Sequence, residues 1–93
     1  MELNALEQEF FQVFQDRLTP EERSQLVLKR LSNGAIEPYI RHYPLGKVKL
    51  TGRKHWMQIF KTVMKVELFE GNLQEMIEKQ EETIKYLRKY CKK

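Results

Sequence analysis

The sequence predicts an all-α fold, a compact bundle of four to five helices that ends in a long amphipathic one, and three observations carry that prediction. Apolar residues recur at three- and four-residue steps over most of the chain. Two places have the residue order of a helix N-terminus: Thr19-Pro20-Glu21-Glu22, and Asn72 with Glu75 three residues on. Period-two alternation is confined to a short segment inside 46–56. Ninety-three residues make a single domain with a modest core.

In residues 2–17, Leu3, Leu6, Phe10, Val13 and Phe14 share one helical face, and Glu2, Glu7, Glu9 and Gln12 occupy the others. The acids lie in the first turns and Arg17 in the last, as the helix dipole favours. Thr19 then caps a second helix, with Pro20 at its first position and Glu22 closing a capping box. That helix carries Leu26, Val27, Leu28 and Leu31 and stops at Ser32-Asn33-Gly34. A short third helix runs from Ile36 to Tyr43, with Ile36, Tyr39, Ile40 and Tyr43 inward, Arg41 and His42 outward, and Pro44 ending it. These three helices form an N-terminal part, 1–44. The order helix, Gly34 turn, helix resembles a helix-turn-helix with Ile40 as the buried residue of a recognition helix. Arg30 stands where that motif has a small residue, and a plain helical hairpin is the other reading.

Residues 45–70 form a basic loop and helix. Lys47-Val48-Lys49-Leu50 alternates, so Thr51-Gly52 either turns a minimal β-hairpin over 46–56 or belongs to a loop in which Thr51 caps a fourth helix. The loop and helix is the preferred reading, with Trp56, Phe60, Val63, Met64 and Glu67 at helical steps between Arg53 and Glu70. Asn72 caps the last helix of a C-terminal part, 72–91. There Leu73, Ile77, Gln80, Ile84, Leu87 and Cys91 step 4-3-4-3-4, the seam of a coiled coil with one polar residue to fix register. The same phase extends back through Glu70, Val66, Val63, Ile59 and Trp56, so one long bent helix is an alternative to two. The seam predicts a homodimer joined through Leu73, Ile77, Gln80, Ile84 and Leu87; packing on the first two helices of the same chain is the competing arrangement.

Charge carries the functional expectation. Residues 1–25 hold six acids against two bases, residues 26–66 nine bases against one acid, and residues 67–93 six of each, giving −4, +8 and 0 and summing to the formal +4. Between Arg41 and Lys65 there are seven Lys/Arg, two His and no acid. Such a local excess is the footprint of a surface that meets phosphates or an acidic partner. The expected ligand is nucleic acid, with duplex DNA favoured, bound by Arg41, His42, Lys47, Lys49, Arg53, Lys54, Lys61 and Lys65 in a small regulatory or replication-associated homodimer. Tyr39, Tyr43 and Trp56, interleaved with the cations, either stack on bases or face the core. The alternative is an adaptor or inhibitor whose basic face docks on an acidic protein.

Other chemistries find no support in the residue pattern. His42 and His55 have no carboxylate or thiol at ligand spacing, so no metal site is expected. The four glycines stand alone, Cys91 has no partnering His, and no paired acid and base can be named, so neither a cofactor nor an enzyme activity is expected. No apolar run reaches the ~18–20 residues that span a bilayer, and MELNALEQEFF is acidic where a signal peptide is basic. No membrane partner and a cytoplasmic location are the expectations.

Overall fold

The computed structural model describes residues 2–91, and it is not all-α. It is an α+β fold in which helices cover one face of a six-stranded antiparallel sheet. Two helices, α1 (Ala5–Asp16) and α2 (Pro20–Ser24), lead into β1 (Leu26–Arg30), β2 (Ile36–Ile40), β3 (Tyr43–Pro44), β4 (Lys47–Lys49), β5 (Trp56–Thr62) and β6 (Lys65–Glu70), and α3 (Leu73–Tyr90) closes the chain. The spatial order is β1-β2-β4-β5-β6. β3 lies against the second half of β2 and β4 against its first half. No described helix is long and apolar enough to cross a membrane.

The helix starts follow the capping chemistry. Thr19 accepts from Glu22 N while the Glu22 side chain accepts from Thr19 N, and Asn72 with Glu75 does the same. Asn4 and Glu7 form a third such box at the start of α1.

The lengths of the expected helices need correction. The second stops at Ser24, and Leu26–Arg30 alternates instead, Leu26 and Leu28 packing on the core while Val27 and Lys29 are exposed. The expected third helix, 36–43, is β2, a two-residue turn and β3, with Ile36, Pro38 and Ile40 buried in alternation. There is thus no helix-turn-helix over this region. The expected helix 53–70 is the β5–β6 hairpin, which turns at Val63-Met64. Trp56, Ile59, Phe60, Thr62, Val63, Val66 and Phe69 make that stretch rich in β-branched and aromatic side chains, and sheet pairing overrides its helical spacing. The hairpin alternative at 46–56 falls inside the β4–β5 pairing, where Lys47 faces Gln58 and Lys49 faces Trp56.

The coiled-coil reading of α3 is corrected as well. Ile77, Gln80, Ile84 and Leu87 are buried in the chain's own core, with Leu73 packed on its margin. They meet Phe10, Phe11 and Phe14 of α1 and Ile36, Val48, Met57 and Ile59 of the sheet. Gln80 donates its side-chain amide to the Phe10 carbonyl at 2.8 Å, so the polar residue of the seam fastens α3 to α1.

Pro38 and Gly46 explain how an interior strand tolerates a proline. The Pro38 carbonyl accepts from Leu45 N at 2.9 Å, so its missing N–H also faces the β3–β4 side. There the ladder is broken at Leu45-Gly46. Gly46 has φ 110°, and a Cβ on it would overlap the Gln58 carbonyl oxygen. Gly46→Ala is expected to destabilise the fold by at least ~2 kcal/mol through backbone strain and displacement of β4, read as a lower urea midpoint.

A buried ion pair joins the layers. Glu7, 1% exposed, accepts from Arg30 Nη1 at 2.6 Å, Arg30 Nη2 at 3.0 Å and Asn4 N at 2.8 Å. Arg30 also donates to the Gly34 and Glu2 carbonyls. Burial pushes the Glu7 carboxyl up, but the hydrogen bonds and charge of Arg30 and the Asn4 amide outweigh it and hold it below its ordinary value. A depressed carboxylate stabilises the fold fully above its unfolded pKa of ~4.3, and that contribution is lost as pH falls through the folded value. Glu7→Gln is therefore expected to cost about 2–3 kcal/mol at pH 7, with the gap from wild type narrowing in urea titrations repeated below pH 4.

Candidate nucleic-acid interface

The alternation that sends Ile36, Val48, Met57 and Ile59 into the core turns Glu37, Lys47, Lys49, Trp56 and Gln58 to the uncovered face of the sheet, whereas Phe60, beside a register shift, packs on Tyr86 of α3. The pairing orders those neighbours into rows. One row runs Lys29, Glu37, Lys47, Gln58, Leu68, the Glu37–Lys47 step following from the Ile36–Val48 pair. The next holds Lys49, Trp56 and Glu70. Val27 and Tyr39 form a third on the β1–β2 side.

The eight residues expected to bind nucleic acid do not form one patch. Lys47 and Lys49 lie two residues apart on the open face, ~6.6 Å along the strand. Arg53 and Lys54 sit in the loop 50–55 that joins Lys49 to Trp56, and both are exposed. Lys49 Nζ donates to the Thr51 carbonyl at 3.2 Å and is thereby held beside that loop. None of these four cations forms an ion pair among the described residues. Half-buried Trp56 follows that loop and lies opposite Lys49 on one side and Glu70 on the other.

Arg41 and His42 are at the other end of β2, and Lys61 and Lys65 are on the β5–β6 hairpin. Lys61 bridges Glu67 and Glu82, so its charge is spent within the chain. Arg41 Nη1 donates to the Cys91 carbonyl at 2.8 Å, so it serves to tie the β2–β3 turn to the end of α3. Arg41 and His42 take positive φ, 49° and 72°, as a two-residue β-turn of the type usually built from Asn-Gly demands.

The open face includes residues that charge counting missed. Lys29 and Lys47 flank Glu37, which also accepts the Tyr39 hydroxyl at 2.7 Å. That hydrogen bond, with lesser help from burial and the carboxylate charge, raises the Tyr39 phenol above its ordinary value. Lys29 and Gln58 join the face only through sheet pairing, and the available signal was the alternation in Leu26–Arg30. Among the described residues no three His, Cys, Asp or Glu are grouped to hold a metal ion.

No protein-family model matches the chain, and neither curated proteins nor solved structures gave a significant match. The geometry alone therefore carries the reading that follows. At the β2–β3 turn, His42→Gly relieves a left-handed conformation and is expected to raise stability by roughly 0.5–1 kcal/mol. Arg41→Asn relieves a similar strain but loses the bond to Cys91, and its urea midpoint is expected to stay near wild type.

Proposed function

We propose that the protein is a non-enzymatic nucleic-acid-binding module that uses the open face of its sheet, and that it prefers single strands to duplex. One observation carries the reading: Lys47, Lys49, Arg53 and Lys54, none of them in an ion pair among the described residues, lie on the uncovered face or in the loop beside it, with Trp56 paired opposite Lys49. Cations at that spacing suit successive phosphates of an extended strand, and an indole beside them offers a stacking platform that accepts any base. Duplex DNA is most often read by a helix laid in the major groove. The basic surface is instead made of strand and loop, with the helices on the opposite side of the sheet. Regulation or replication, where single strands are exposed, is the setting this chemistry fits.

The alternative, docking of the basic face on an acidic protein, uses the same cations and differs in what competes for them. Fluorescence anisotropy of a labelled random-sequence single strand, with a duplex of equal length beside it, separates the two. Four phosphate contacts on a single strand give a slope of about −0.7 per contact, so affinity is expected to fall about 50-fold between 50 and 200 mM salt. Lys49→Glu with Arg53→Glu should abolish binding, while Trp56→Phe should retain most of it and Trp56→Ala lose about 5- to 150-fold. No binding at low salt, or charge-reversed protein that binds as wild type does, removes the nucleic-acid reading and leaves the acidic partner.

A further inference from the structure

β6 closes one edge of the sheet with β5 as its only neighbour among the described residues, so its outward backbone N–H and C=O groups have no ladder partner there. Edge strands are usually blunted by proline, bulges or several lysines. β6 has no proline; Lys65, Glu67 and Glu70 are its charged residues, and on the open face it carries Val66 and Leu68, 52% and 63% exposed. The preceding turn adds Val63 at 68% and Met64 at 89%. Four of the chain's large exposed apolar side chains thus gather on one hairpin, a clustering that marks an interaction surface.

We infer that β6 pairs antiparallel with β6 of a second copy of this chain, about a two-fold axis at Val66, and so joins two sheets into one. Complementarity at the edge itself selects both the partner and the register. Opposed residues must share a sheet face, so a slip of one residue is excluded, because it would set the helix-covered face of one copy against the open face of the other. An axis at Glu67 opposes that carboxylate to the partner's Glu67. An axis at Leu68 sets Val66 against the partner's Glu70, and Glu67 against the partner's Phe69. The axis at Val66 pairs the first half of each β6, Lys65–Glu67, setting Val66 on the partner's Val66 and Lys65 on the partner's Glu67, the latter twice by symmetry, and it brings Met64 of each hairpin turn to the partner's Leu68.

The charges on the covered side agree with that register. Lys65 makes no ion pair among the described residues, while the partly exposed Glu67 draws Lys61 and Lys79, at 3.1 and 3.6 Å. The arrangement differs from the α3 seam expected from the sequence, whose residues are consumed by the core. It is also independent of nucleic-acid binding, since none of Lys47, Lys49, Arg53 and Lys54 belongs to β6.

Sedimentation equilibrium from micromolar concentration upward tests the inference. Wild type is expected at twice 11.3 kDa. Lys65→Glu, a change at an exposed position, should give monomer because it opposes acid to acid at both ends of the pairing. Glu67→Lys should likewise give monomer, and circular dichroism confirms that each variant is folded. Mixing the two variants should restore the doubled mass, since each then supplies the charge the other lacks. A monomeric wild type, an undiminished Lys65→Glu dimer, or a mixture of folded variants that stays monomeric would each overturn the proposal.

Discussion

Glu7 is the constraint on which the rest of the molecule depends. An almost wholly buried carboxylate persists only where its charge is met by several donors, and here three come from two distant places in the chain. Asn4 supplies the start of α1, Arg30 the end of β1, and Arg30 in turn grips the Gly34 carbonyl in the turn to β2. Asn4 also donates its side-chain amide to the Leu50 carbonyl at 3.1 Å, at the root of the loop that presents Arg53 and Lys54. The same cluster that sets helix on sheet therefore anchors one side of the candidate binding face. A second ion pair, Arg88 with Glu22, does a smaller version of this work between α2 and α3.

This arrangement gives the uneven charge of the sequence a spatial meaning. The acid-rich N-terminal segment becomes α1 and α2 on the covered side, whereas Lys47, Lys49, Arg53 and Lys54 lie on or beside the open side. Separation along the chain has become separation across the sheet. The helices do not lie over the basic face, and its field reaches solvent unscreened by their carboxylates.

Helix starts were legible because a capping box is a local code: Thr19 with Glu22 and Asn72 with Glu75 declare themselves within four residues. Strands carry no such code. Leu26-Val27-Leu28 satisfies either period over so short a run, and Pro38 reads as the first turn of a helix unless one knows that its missing donor faces a break in the neighbouring strand. The hairpin from Trp56 to Glu70 shows apolar residues at both periods, and only pairing with β4 decides between them. The site divides along the same line. Cations near Thr51 and Gly52 could be picked out from sequence because loop residues are exposed whatever their neighbours do. Lys61 could not be discounted, since Glu82, which neutralises it, is brought close only by the fold. The direction of Trp56 likewise follows from its being in a strand.

Cys91 ends the described chain with its thiol fully buried, pushed up by burial against a smaller opposing effect of Arg41, and with its carbonyl held by that same arginine. A thiol in that state is protonated and out of reach, so an alkylating reagent meets it only when the last turn of α3 lets go. As the single cysteine of the chain it is a built-in clock. The rate at which it is labelled in native protein times the opening of one corner of the molecule, with no engineered probe required.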